Sequence, residues 1–163
     1  MDKQITYAMT GEVKIGNKNT ILRSGAIGSC LVIIAYDRSK QAIGMAHIML
    51  PGKAPENKGI KQTRYAGNAI DELVNLLGQN EVNTRNIHVC LAGGANVLKR
   101  EGDDIGREII ASVKKLLKEK EIKIVAESLG GIMRRSVSLN GETGDVNIKI
   151  GDEAEKLLWK FRD

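Results

Sequence analysis

Residues 30–50 read CLVIIAYDRSKQAIGMAHIML: an apolar run from Leu31 to Tyr36, the polar stretch Asp37-Arg38-Ser39-Lys40, and a second largely apolar run from Ala42 to Leu50. Short apolar runs rich in Ile and Val and separated by turn formers read as two buried strands, and the first is far too short to cross a bilayer. The pair forms an antiparallel hairpin whose register carries a chemical consequence. With a two- or four-residue turn centred between Arg38 and Ser39, Cys30 stands opposite His47. Side chains opposed in this way have Cβ atoms about 4.5–5.5 Å apart, close enough for a thiol and an imidazole to share a proton. A three- or five-residue turn would put the two side chains on opposite faces.

Upstream, Val13 and Ile15 alternate with polar residues, Gly16-Asn17-Lys18-Asn19 is a turn signal, and Thr20 to Arg23 follows, which predicts an opening hairpin. Ser24-Gly25-Ala26-Ile27-Gly28-Ser29 is a run of mostly small residues that lets the backbone turn before Cys30. Downstream, Pro51 to Lys61 is a loop able to reach over a site. Ala66, Ala69, Ile70, Leu73, Val74 and Leu77 recur at helical spacing before Gly78, predicting a helix from about Thr63 to Leu77. Ile87 to Leu91 reads as a strand. Ile105, Ile109, Ile110, Val113, Leu116 and Leu117 mark a second helix capped by Asp103 or Asp104, and Ile122 to Ala126 is the next strand. That strand, helix, strand order is a crossover unit and makes part of the sheet parallel. Val137 to Leu139 and Val146 to Ile150 flank the turn-rich Asn140 to Gly144 and predict another hairpin, and Asp152 to Phe161 reads as a short closing helix. The expected fold is α/β: a single-domain layered sandwich over residues 1–163, with a mixed β-sheet core and helices packed on it.

A chain of 163 residues with 42% hydrophobic content is large enough to bury a core as one domain. With aromatic residues at only 3%, the core is built from aliphatic side chains, and stacking platforms for single-stranded nucleic acid are not expected. The net charge of +5 favours an acidic partner without identifying it. The N-terminus lacks the basic start and apolar stretch of a secretory signal, and the two cysteines lack CxxC or metal-ligand spacing. The expectation is a cytoplasmic protein with free thiols, without membrane insertion and without nucleic-acid binding.

Two cysteines, Cys30 and Cys90, and two histidines, His47 and His88, leave few ways to build a thiol nucleophile beside a base. Most free cysteines are small buried hydrophobes, and Cys90, in mid-strand between Val89 and Leu91, fits that reading. Cys30 differs, because it sits where a Gly/Ser segment meets a strand. There the backbone N–H groups of Gly28, Ser29 and Cys30 are candidates for stabilising an oxyanion. His88 and Cys90 share strand parity and form an alternative pair, but side chains two apart on one strand run side by side. Ser24 either orients His47 as a third member or bonds its own backbone. Gly93-Gly94 lacks the spacing of a nucleotide-binding loop and reads as a turn.

Gly28-Ser29-Cys30, followed by Ala46-His47-Ile48-Met49-Leu50-Pro51, resembles the GSC and AHxMLP signatures of the CheD family of chemoreceptor glutamine deamidases. The resemblance continues through Arg64-Tyr65, Ala69-Ile70, Gly93-Gly94-Ala95, Ile105-Gly106, Ala126-Glu127, Gly130-Gly131 and Thr143-Gly144. It implies hydrolysis of selected glutamine side chains of chemoreceptors, with Cys30 as nucleophile, His47 as base, Ser24 in place of the family's usual threonine, and no metal or cofactor. The partners it implies are chemoreceptor cytoplasmic domains and a CheC-type phosphatase, so a purely adaptor role is the competing reading. Ala26, Glu108, Ile109, Arg134 and Leu139 depart from the family's usual residues.

Overall fold

A computed structural model describes residues 2–56 and 61–162. The hairpin at residues 30–50 forms the centre of the molecule, as β4 (Leu31–Asp37) and β5 (Ala42–Ile48), and every residue of both strands is buried. The two faces of β4 explain this burial. Leu31, Ile33 and Ala35 pack into a cluster with the helices, whereas Val32, Ile34 and Tyr36 pack into a second cluster between two sheets. A strand covered on both sides has no polar face to present, hence the continuous apolar run.

The sheet holding this hairpin has the order β2-β5-β4-β6-β7, with β2 at Val13–Gly16, β6 at Ile87–Gly93 and β7 at Lys123–Leu129. Helices α1 (Ala66–Gln79) and α2 (Ile105–Glu119) cover its outer face through Ala69, Ile70, Leu73, Leu77, Ile109, Val113 and Leu117. On the inner face lies a second sheet, β1-β3-β8-β9-β10, formed by Gln4–Tyr7, Thr20–Arg23, Arg135–Asn140, Asp145–Ile150 and Lys156–Lys160. The architecture is therefore α/β, a layered sandwich of two sheets with helices packed on one of them. β6, α2 and β7 form the expected crossover, with β6 and β7 parallel, and β8 and β9 form the expected hairpin.

Four expectations are corrected. The first concerns the central register. Four residues, Arg38–Gln41, join Asp37 to Ala42, so the turn is centred between Ser39 and Lys40, and His47 faces Val32 instead of Cys30. Asp37 sets this turn, its Oδ1 accepting the Ser39 N–H and hydroxyl, each at 2.8 Å. The second concerns the opening hairpin. Residues 16–19 do turn, with the Thr20 N–H donated to the Asn17 carbonyl at 3.0 Å, but β2 joins β5 of one sheet and β3 joins β1 and β8 of the other. A turn signal describes local backbone and not the strand that each arm finds.

The third correction is the tail, where Lys156–Lys160 is a strand on β9, with a register shift between Leu157 and Trp159, instead of a closing helix. Pairing with the open edge of β9 and burial of Phe161, whose ring stacks on Tyr36 at 5.0 Å, override a weak helical pattern. The fourth is the start of α1 at Ala66, after a 3₁₀ turn over Gln62–Arg64. In the Pro51–Lys61 loop, residues 57–60 lie outside the described residues. Its described start is tied to the helical layer by Gly52 N–H to Ser112 Oγ at 2.9 Å and Ala54 N–H to Asn68 Oδ1 at 2.8 Å.

Candidate active site

Cys30 immediately precedes β4 and is partly exposed, and it packs against the same inter-sheet cluster as Val32. His47 lies opposite Val32 and is 3% exposed. The thiol and imidazole therefore share the inner face of the sheet, one diagonal step apart. Such neighbours are separated by about 7–8 Å in a regular ladder. Among the described residues no hydrogen bond joins them. The two-position change of register preserved the shared face, whereas a one-position change would have destroyed it.

The imidazole is held from the other sheet. Its Nδ1 lies 2.9 Å from the carbonyl oxygen of Ala8, just beyond β1, and the Ala8 N–H is donated to the Arg23 carbonyl at 2.8 Å. A carbonyl can only accept, so Nδ1 carries the proton and Nε2 keeps its lone pair. Burial lowers the His47 pKa, opposed by the Ala8 bond and by Glu12, so the ring is neutral at pH 7. Burial also pushes the Cys30 thiol up, against the lowering effect of its own backbone N–H. The resting pair is a thiol beside a neutral imidazole.

Ser24 is engaged elsewhere. Its hydroxyl donates to the Gly25 carbonyl at 2.6 Å and accepts the Val137 N–H at 3.1 Å, which anchors the end of β3 to β8. The Gly25 bond fits the local-backbone alternative, the Val137 bond reaches across to β8, and among the described residues neither the hydroxyl nor its neighbours bond the His47 ring. Gly28, Ser29 and Cys30 retain a feature useful for an oxyanion. Among the described residues, none of their three N–H groups is donated to a backbone carbonyl. A cleft of about 220 Å³ opens beside Gly28 and Ser29, lined also by Val97, Leu98, Asp103 and Arg134, with Cys30 following just behind its wall in the chain.

The carbonyls of the same segment are fixed. Gly94 N–H donates to Cys30 O at 2.9 Å, and Ala95 N–H donates to Gly28 O at 3.0 Å. Gly93 allows this approach: it has φ +124°, and a Cβ there would lie 2.1 Å from the Cys30 carbonyl oxygen. Gly93-Gly94, expected as a turn, instead ends β6 and holds the Cys30 carbonyl. The Ala8 carbonyl was also missed, because a backbone acceptor leaves no signature in residue type.

The alternative pair is not assembled in the same way. Cys90 is fully buried and its thiol is pushed up to about 12 by burial, whereas His88 is exposed beside a cavity of about 380 Å³ at the opposite end of β4. Iodoacetamide should consequently modify Cys30 much faster than Cys90 in the folded protein, with the Cys30 rate rising towards alkaline pH. Peptide mapping checks this, and equal labelling would refute the distinction. Among the described residues, no three His, Cys, Asp or Glu side chains gather as a metal site, and no helix is long and apolar enough to cross a membrane.

A thiol and a base-competent imidazole on one face of a two-sheet sandwich, beside backbone N–H groups that among the described residues no backbone carbonyl takes up, define a candidate cysteine–histidine site. Comparison with known sequences then identifies the family. The family model described as CheD chemotactic sensory transduction matches residues 49–150. The chain is 32% identical to the probable chemoreceptor glutamine deamidase CheD of Chlorobium luteolum, over 94% of this chain and 77% of that protein. It is 34% identical to the chemoreceptor glutamine deamidase CheD of Halalkalibacterium halodurans, over 84% of this chain and 88% of that protein. For the protein of the same name from Thermotoga maritima the identity is 32%, over 92% and 94%. The chain belongs to the CheD family.

Proposed function

We propose that this protein hydrolyses selected glutamine side chains in the cytoplasmic domains of chemoreceptors to glutamate, with Cys30 as nucleophile and His47 as general base. Family membership supports the reaction. The observation that supports the residue roles is the His47 Nδ1 contact with the Ala8 carbonyl, which leaves Nε2 free to take a proton on the face shared with Cys30. In the first step the Cys30 thiol proton passes to Nε2 as sulfur attacks the carboxamide carbon. The imidazolium then returns the proton to nitrogen, the C–N bond breaks, and ammonia leaves a thioester. Water, deprotonated by His47, attacks the thioester and releases glutamate and the thiol. The N–H groups of Gly28, Ser29 and Cys30 face the negative oxygen that develops in both steps. Ser24 contributes by anchoring the segment that leads into them.

The resting separation of Cys30 and His47 requires the side chains to close up when substrate fills the cleft, a tightening familiar in substrate-free active sites. Exposed Leu98, Ile132 and Met133 near the cleft favour a partner with an apolar face. A chemoreceptor helix fits that description, as does a CheC-type phosphatase, so an adaptor role is the second reading. The reaction is tested by incubating a receptor cytoplasmic fragment with the protein and measuring intact mass and ammonia. One ammonia should be released per glutamine converted; a fragment that binds with no change in mass would replace the enzyme by the adaptor.

The base assignment has its own test. Because the His47 pKa lies below its ordinary value of 6.5, the neutral ring persists as pH falls through 6.5, and kcat/KM should decline only at lower pH. His47→Gln should reduce kcat by about 10²- to 10⁴-fold and remove that acid limb. A pH–rate profile whose acid limb survives in His47→Gln would assign the base elsewhere.

A further inference from the structure

Arg135 opens β8 and is 9% exposed. Its Nε donates to Ser128 Oγ at 2.9 Å, and its Nη1 donates to the carbonyls of Gly130 at 2.8 Å and Met133 at 3.3 Å. Among the described residues no carboxylate pairs with it. A buried guanidinium neutralised only by dipoles is a costly arrangement that an apolar side chain would avoid. What the cation holds is therefore informative.

Its main chain exchanges two hydrogen bonds with Ile27, the residue before Gly28: Ile27 N–H to Arg135 O at 2.6 Å and Arg135 N–H to Ile27 O at 3.0 Å. The bend held by its side chain is tied in turn to the end of β6. Gly130 N–H donates to Gly93 O at 2.9 Å, and Asn96 N–H donates to Gly131 O at 2.8 Å. Gly94 and Ala95, within that segment, hold the carbonyls of Cys30 and Gly28. The connections close on themselves, running from Arg135 through Ile27 to the nucleophile segment, then through residues 93–96 to residues 130–131 and back to Arg135.

We propose that Arg135 is a positioning residue whose guanidinium locks the Gly130–Met133 bend and thereby fixes, on two sides, the backbone that presents Cys30 and its N–H groups. This inference rests on the proposed deamidase reading. A planar fork can hold three acceptors in set directions, which a lysine ammonium on a flexible stem cannot reproduce. Arg135 does not line the cleft beside Gly28 and Ser29, although it lines the neighbouring cavity with Ile132 and Met133, so its effect at the reacting centre falls on preorganisation of the transition state.

The test compares wild type, Arg135→Lys and Arg135→Gln, with active sites titrated by Cys30 alkylation and folding followed by thermal melting. Per folded site, Arg135→Gln should lower kcat on a receptor fragment by about 10- to 100-fold with KM within twofold, and Arg135→Lys should fall between the two. The pH profile of Cys30 alkylation should also shift in Arg135→Gln. A wild-type kcat per folded site, or a loss expressed only in KM, overturns the proposal. Should Arg135→Gln fail to fold, Ser128→Ala removes the Nε partner alone. It should lower kcat about three- to tenfold at constant KM, and an unchanged kcat overturns the proposal. The alkylation measurement needs no deamidation: wild type inactive on every receptor fragment sinks the proposed function, whereas an unshifted alkylation profile sinks the role of Arg135.

Discussion

Cys30→Ala should abolish glutamine deamidation while leaving the fold intact, with kcat falling on the order of 10⁶-fold, as for removal of the nucleophile from a catalytic unit whose members act together. No other side chain in the site replaces a thiol. Cys90 is fully buried, and Ser24 is occupied by the Gly25 carbonyl and the Val137 N–H. Cys30 itself is only partly buried, so losing its sulfur should cost about 1 kcal/mol or less. Cys90→Ala should show the reverse pattern, with a lower melting temperature and retained turnover. Intact-mass analysis of the receptor fragment reads both variants. Turnover by Cys30→Ala at more than a trace would remove Cys30 from the mechanism.

Gly93→Ala should damage the protein through its backbone. The residue has φ +124°, a conformation that costs an L-residue about 1–3 kcal/mol, and the added Cβ would meet the Cys30 carbonyl oxygen at 2.1 Å, with Ile27 Cγ2 at 3.0 Å. The nearest obstacle is main chain and cannot rotate away. The total destabilisation should be about 2–4 kcal/mol, a fall in melting temperature of roughly 5–15 °C. Any molecules that fold must displace Cys30 O from Gly94 N–H, and deamidation should fall with it. Gly102→Ala separates conformational cost from collision, because Gly102 also has positive φ, at +73°, but an added Cβ there meets nothing within 4 Å. It should cost about 1 kcal/mol and spare turnover. Equal melting temperatures for the two variants would refute the close approach at Cys30.

Local chemistry determined much of this protein. The apolar runs of β4 and β5, the helical spacing of Ala66 to Leu77 and Ile105 to Leu117, and the crossover from β6 through α2 to β7 follow from periodicity, which reports how much of each element is buried. The restriction of thiol and imidazole chemistry to two residues of each kind, and the special setting of Cys30 beside small residues, are likewise properties of the chain. Tertiary structure decided matters that depend on which surfaces meet. It placed β2 and β3 in different sheets and recruited Lys156–Lys160 as an edge strand, because unpaired strand edges take available backbone regardless of weak local preference. It centred the β4–β5 turn through the side chain of Asp37, so that Cys30 and His47 share a face one diagonal step apart. It also chose a main-chain carbonyl, that of Ala8, to hold the imidazole, and the N–H groups of Gly94 and Ala95 to hold the carbonyls of Cys30 and Gly28. Every residue carries a carbonyl and nearly every one an N–H, so the sequence names the side chains available for catalysis, whereas only the packed sheets determine which backbone groups hold them.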